Sequence, residues 1–374
     1  MNYPVSKTEY ATRARDILQK RIEDGRASAV ATFERVHQAV PVDSIVRGKA
    51  IRFGFNGQLV VDVEGTEERN VHDHALGQMC AKAGLPGAYV KDLLRSPESW
   101  KNTLATKILN DHYSLTHHQR TEDISQQRHL VRAVNGQVRG FLSDRYRRLD
   151  SRPLLEAFAG ECQALGAVPV EGIATDTRVS IRALLPYVFE PIPGEVLCLG
   201  GEWSNSDFGA GKHAFRAFIL RLTCLNGATM EDALAQVHLG GRLSDDIEFS
   251  DKTFQLDTRT SVSALKDVVR GVLSPKSVDM NLATIKAAHE KQIDWKGLGS
   301  KLSKRLLKEE LKAVKDAFES NDVINLPPVQ SAWRASNAVS WIAGTVEDPT
   351  RKQELQRLAG ELVNGKVDSS GEAA

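Results

Sequence analysis

The chain has 374 residues, 41% of them hydrophobic and 26% charged, a globular balance long enough for two or three packed layers, which excludes wholesale disorder. Forty-nine basic against forty-eight acidic residues leave a net charge of +1, so no global field draws it to nucleic acid or to an anionic membrane, and anion binding has to come from local clustering. Four dispersed cysteines, Cys80, Cys162, Cys198 and Cys224, lack the close pairs of a zinc or dithiol site and read as buried, reduced thiols, while no run approaches the ~20 apolar residues of a membrane span.

Residues 8–40 carry Ala, Ile, Leu and Val at three- and four-residue steps and predict a helix stopped by Pro41. Ile51 to Phe55 and Leu59 to Val63 predict a hairpin turned at Asn56-Gly57. Three short helices are expected from Asp73 to Asn110, broken at Gly84-Leu85-Pro86-Gly87 and at Ser96-Pro97. A second hairpin, Arg128 to Ser143, centres on Asn135-Gly136, followed by a helix at 152–165 and strands near 167–174, 177–189, 195–203 and 212–224. From Thr229 the chain reads as mainly helical, with a short hairpin around 247–258, an amphipathic helix beginning at Lys301, and Trp333 and Trp341 as core. The fold class is α+β: a central, mostly antiparallel sheet with N-terminal helices and a helical C-terminal third. Composition shifts at 112–126 and 321–328 divide it into an N-terminal helical region with a β-hairpin (1–111), an α+β core with a basic sheet face (127–320), C-terminal helices (329–366) and a disordered tail (367–374).

The second hairpin carries the functional argument. A two-residue turn pairs Val134 with Gln137, Arg132 with Arg139 and Leu130 with Phe141. His129, Val131, Ala133, Val138, Gly140 and Leu142 then form the core face, and Arg128, Arg132, Arg139 and Phe141 the outer one. Arginines directly across from each other repel, and a bridging anion would offset that. Six arginines and one aspartate lie between Arg128 and Arg148, with Tyr146 beside Arg145, Arg147 and Arg148. Arginines interleaved with aromatics make a platform for single-stranded nucleic acid. Arg178 and Arg182 alternate on a further strand, and Lys212, Arg216 and Arg221 extend the track. The competing reading is that these cations splay into water or pair with acids such as Asp144, Asp150 and Glu156.

Other chemistry is weaker. Ser206-Asp207-Phe208-Gly209-Ala210-Gly211-Lys212-His213 approximates a phosphate loop, but Ser206 stands where the first glycine belongs and His213 where the magnesium-binding hydroxyl belongs. It reads as a mobile turn whose Lys212 touches phosphate. In His72-Asp73-His74, Asp73 is expected to cap a helix rather than all three to bind a metal; His117-His118 reads as solvated. No cofactor and no catalytic residue is expected.

Three stretches resemble the phage/plasmid-like protein family, a domain of unknown function carried by phages, prophages and plasmids. They are Ala75-Leu76-Gly77-Gln78 with Gly84-Leu85-Pro86-Gly87-Ala88-Tyr89; Val138 to Asp150 with its Ser143-Asp144-Arg145-Tyr146 core; and Asn205-Ser206-Asp207-Phe208-Gly209 leading to Arg221-Leu222-Thr223-Cys224-Leu225-Asn226-Gly227. A looser likeness runs from Trp333 to Val339. The resemblance implies a mobile element in a bacterial cytoplasm and, by analogy, a strand-annealing protein that forms a homo-oligomer. The expectation is a non-enzymatic single-stranded-DNA-binding protein in recombination or replication, with Arg132 and Arg139 setting the salt dependence. The alternatives are an interaction or anti-defence factor binding an acidic protein surface, and a metal-dependent nuclease.

Overall fold

The computed structural model describes residues 2–65, 67–114, 124–222, 227–236, 250–320 and 326–367. Cys224, His117-His118, the tail from residue 368 and the first part of the 247–258 hairpin lie outside the described residues. The rest of that expected hairpin is corrected: it belongs to a helix that Ser250 caps.

Helix α1 (Glu9–Gln38) starts where the Thr8 side chain accepts from the Ala11 amide. It buries Ala11, Ala14, Leu18, Gly25, Ala29, Thr32 and Val36, one stripe at helical steps. That stripe is small for a reason. A Cβ on Gly25 would sit 1.7 Å from the Val170 carbonyl oxygen, so the helix rests directly on strand backbone.

Strands β1 (Val42–Arg47), β2 (Ile51–Phe55), β3 (Leu59–Val63) and β4 (Arg69–Val71) precede helices α2 (Asp73–Ala83), α3 (Gly87–Arg95) and α4 (Ser99–Ser114), then β5 (Arg128–Val134) and β6 (Gln137–Ser143). They form a sheet of order β1-β5-β6-β4-β3-β2, with only β4 and β6 parallel. Phe55 pairs with Leu59, so the first hairpin turns through three residues rather than two, with Gly57 left-handed at φ 99°. Asn135 (φ 50°) and Gly136 (φ 74°) form the two-residue primed turn that their sequence predicts. Helices α2 to α4 cover one face, enclosing Phe53, Val61, Met79, Leu109, Tyr113 and Phe141. The strands before and after the expected 112–126 boundary share this one sheet.

Helix α5 (Ser151–Leu165) leads to β7 (Val168–Ala174), β8 (Val179–Leu184), β9 (Phe189–Ile192), β10 (Glu195–Asn205), β11 (His213–Arg221) and β12 (Gly227–Gln236). These make a second, antiparallel sheet of order β12-β11-β10-β8-β7, with β9 on β10. The strands thus divide between two sheets instead of one. Against the second, α1 packs with Val170, Leu184 and Phe218, and Phe158, Trp203 and Phe215 belong to the largest core.

The C-terminal part is helical: α6 (Asp251–Val272), α7 (Pro275–Glu290), α8 (Trp295–Leu302), α9 (Lys308–Glu319), α10 (Ala332–Thr345) and α11 (Pro349–Val363). The amphipathic run from Lys301 is therefore two helices, although Leu302, Leu306, Val314 and Phe318 share one core as their spacing implies. Trp333 is buried; Trp341, expected in the core, is 38% exposed. Buried Arg334 donates to the carbonyls of Phe318 (2.7 Å) and Pro327 (2.6 Å), neutralising the negative end of α9. The architecture is α+β.

Candidate nucleic-acid interface

The hairpin departs from its expected register at one residue. Arg132 pairs with Gly140 and Ala133 with Val138, which leaves Arg139 as a bulge. One extra residue exchanges the faces of everything beyond it. Phe141, expected to stack on a base, is buried among Val131, Met79 and Tyr113, its ring stacked on His129 with centroids 4.7 Å apart. Leu142, expected in the core, joins Leu130 and Tyr146 on the opposite face.

The arginines of this face are paired. Arg132, 1% exposed, donates from Nε to Asp43 (2.7 Å), from Nη2 to Asp150 (2.6 Å) and from Nη1 to the Asp207 carbonyl (2.8 Å). Burial works against its charge, yet Asp150, Asp43 and Asp207 outweigh that and raise its pKa. Arg147 forks onto Asp257, Arg148 reaches Asp43 at 3.4 Å and lies over the Phe254 ring, and Arg128 stands 3.7 Å from Asp144. Arg139 donates to Gln137 (3.2 Å) and to the Asp176 carbonyl (3.3 Å), Arg145 is half-buried, and Tyr146 is buried with its hydroxyl donating to Ser206 O (3.1 Å). Pairing with nearby acids, the competing reading, describes Arg128 and Arg132; the remaining partners come from distant parts of the chain.

The second sheet treats its arginines likewise. Glu171, Arg182, Glu202 and Arg216 stand opposite one another across β7, β8, β10 and β11, a row of alternating charge. Arg182 Nε donates to Glu202 at 2.7 Å and its Nη1 to Glu171 at 2.7 Å. Arg216 Nη1 reaches Glu202 at 3.4 Å and Ser204 Oγ at 3.0 Å. Arg221 forks onto Glu195 with both bonds at 2.6 Å, and Trp333 Nε1 donates to the same carboxylate at 3.1 Å. An open track through Arg132, Phe141, Tyr146, Arg182, Arg216 and Arg221 is therefore corrected: these side chains are buried.

The glycine-bearing turn between β10 and β11 joins the two sheets. The Phe208 carbonyl accepts from Gln78 Nε2 (2.9 Å) and meets His74 Nε2 (3.0 Å), both on α2. Burial lowers the His74 pKa, the Phe208 bond pulling back, and the nearby His72 and Arg178 lower it further. Asp207 accepts from the Ser151 amide (2.8 Å) and hydroxyl (2.6 Å). Gly209 is left-handed at φ 76°, and a Cβ there would meet Leu142 Cδ2 at 2.6 Å. The segment expected to be a mobile turn is thus held at its first half. His72, not Asp73, caps α2, accepting from the His74 amide at 3.1 Å, while Asp73 pairs with Arg95 at 2.7 Å. No group of three metal-binding side chains occurs among the described residues.

Two groups near this seam, buried His129 and half-buried Asp207, give stability opposite pH dependences. Burial, with the Lys82 charge adding, pushes the His129 pKa down to about 4. Unfolding therefore takes up a proton between about pH 6.5 and 4, and stability falls as the pH drops through that window. Burial, with Asp150 adding and Arg132 pulling back, pushes Asp207 up to about 6. The folded chain then holds that proton more tightly than the unfolded one, and stability from this group rises as the pH drops from about 6 to 4. In urea denaturation across this range, His129→Phe flattens the acid loss and Asp207→Asn steepens it. A profile that neither substitution alters would contradict both assignments.

One cavity gathers cations. About 160 Å3 in volume, it is bordered by Arg178, Lys212, Arg216 and Arg357, by the hydroxyls of Ser180, Ser204 and Thr350, and by Gln353. No carboxylate lines it among the described residues. Arg178 is exposed, just beyond the β7 to β8 turn; Lys212 ends the glycine-bearing turn; Arg357 projects from α11. The amides of Thr350 and Arg351 are already capped by Asp348, so the positive potential comes from side chains. Three of the four cations belong to the expected track. Arg357 was not expected, and its signal is the polar stripe Thr350, Gln353, Arg357 on a helix otherwise marked by Leu355, Leu358 and Leu362. No helix among the described residues is long and apolar enough to cross a membrane. The chain matches no family model, no curated protein and no solved structure.

Proposed function

We propose that the chain is a non-enzymatic single-stranded-DNA-binding protein that holds a backbone phosphate in the cavity between Arg178, Lys212, Arg216 and Arg357. The observation that carries this reading is the convergence of Arg178, Lys212 and Arg357, with Arg216 buried at the inner wall and shared with Glu202, on a space that hydroxyls line and no carboxylate lines among the described residues. Such a site attracts phosphate by charge and orients it by hydrogen bonds from guanidinium and hydroxyl groups. The expected biological setting is recombination or replication of a phage, prophage or plasmid in the bacterial cytoplasm, as an annealing or protecting factor in a homo-oligomer; its support is the sequence resemblance described above.

The test is binding to a labelled single strand across a salt series, with a duplex of the same sequence as control. Affinity falls steeply with salt, and Arg178→Gln with Arg357→Gln lowers the logarithmic slope by roughly 0.7 per cation removed. A salt-independent affinity, or a slope unchanged in the double variant, would rule the cavity out. Absence of binding at low salt would leave the acidic-protein-surface reading.

A further inference from the structure

The wall formed by Ala210, Gly211 and Lys212 has a second side. There it borders an open groove of about 550 Å3 whose other surfaces come from Leu142, Tyr146 and Ala81. Leu142 and Tyr146 are on the apolar cluster of the hairpin's outer face, and Lys82 stands at the margin. The phosphate cavity and the apolar groove thus share one three-residue partition, with Lys212 lining both.

We propose that this groove receives an unpaired nucleobase whose phosphate lies across the partition, which makes the site selective for single strands and indifferent to sequence. This rests on the phosphate reading of the cavity. Its chemistry fits a base: apolar surface for a flat ring, with two lysines, Lys82 and Lys212, beside the attached anionic backbone. A base inside a duplex is stacked and paired and cannot enter without leaving its partner. Indifference follows from how the polar groups are spent. Gln78, the one side-chain amide of the groove, donates to the Phe208 carbonyl and accepts from the Phe141 amide at 2.7 Å. The Tyr146 hydroxyl donates to Ser206. Neither is left to read a base edge, and the exposed Ser143 hydroxyl that also lines the groove both donates and accepts, so it suits any base.

The experiment compares an oligothymidylate with an abasic strand of equal length, against the unmodified chain, Ala81→Trp and Arg357→Gln. Ala81 is exposed on α2, so a tryptophan there fills the groove without entering the core; melting temperature checks that the fold is kept. The expected result is an abasic strand bound about ten-fold or more weakly than oligothymidylate. Ala81→Trp brings oligothymidylate down to the abasic level and leaves the abasic strand unchanged, and oligoadenylate and oligocytidylate bind within a few-fold of oligothymidylate. Equal affinity for the two strands, or no effect of Ala81→Trp, overturns the groove while a loss of both strands in Arg357→Gln preserves the phosphate site. Failure of every strand to bind at low salt overturns both.

Discussion

Arg132→Met is expected to cost about 3 kcal/mol of folding stability, read as a lower urea midpoint with an unchanged slope. The guanidinium is buried and ties three segments together: Asp43 on β1, Asp150 at the start of α5 and the Asp207 carbonyl in the turn from the second sheet. Removing it takes away the cation that Asp43 and Asp150 share and leaves Asp43 with Arg148 at 3.4 Å. The figure sits at the lower end of the range for broken buried pairs because Asp150 is 43% exposed and water screens part of its charge. Methionine keeps most of the packing volume, so the loss reports charge and hydrogen bonding. Arg139→Ala, whose partner Asp176 is also partly solvated, costs less than about 1 kcal/mol. An Arg132→Met protein as stable as the parent would show that the seam between the sheets is held by packing alone. Measured on the folded fraction, its affinity for a single strand stays at the parent value, whereas an outward-facing Arg132 would lower it.

Glu202→Ala is expected to cost about 3–5 kcal/mol. This carboxylate is 0% exposed and stands between Arg182 and Arg216 in the charge row of the second sheet. Without it two buried guanidinium groups on flanking strands face each other, and Glu171 compensates only Arg182, at 2.7 Å. Glu202→Gln keeps an acceptor for Arg182 and loses less. Thermal or urea unfolding of both variants decides the matter: equal losses would mean that the side-chain shape, not its charge, is what the sheet requires.

The helices α1 to α5 were legible in the sequence because capping residues, glycines and prolines mark their ends and apolar spacing marks their faces. Asn135-Gly136 announced its turn for a similar reason, since positive φ at two successive residues restricts the choice of side chain. The bulge at Arg139 was not legible. Phe141 and Leu142 are both apolar, so either register gives a plausible core face, and a one-residue slip changes which of them is inside. Nor does local spacing reveal that Arg147 meets Asp257 or that Arg221 meets Glu195, because those acids arrive from elsewhere in the fold. Arginine clustering in a sequence does not tell exposure: Arg132, Arg182, Arg216 and Arg221 are buried, whereas Arg178 is exposed. Arg178, Lys212 and Arg216 converge with Arg357 only because α11 returns across the second sheet, a placement that depends on the helix order and not on any motif.

The pairing of β1 with β5 also governs how the chain acquires its structure. The β2–β3 and β5–β6 hairpins close locally, but residues 42–47 find their neighbours only in residues 128–134, and α1 finds its seat only when β7 is present. Contacts of such long sequence separation are slow to form, because the intervening chain loses its freedom before the contacts return any energy. During synthesis from the N-terminus, α1 and the first four strands leave the ribosome with apolar faces uncovered and sheet edges unpaired, until the second hairpin and the second sheet follow. The interval before the second sheet, which ends at Gln236, has emerged is when this chain is most prone to pair with a second copy of itself.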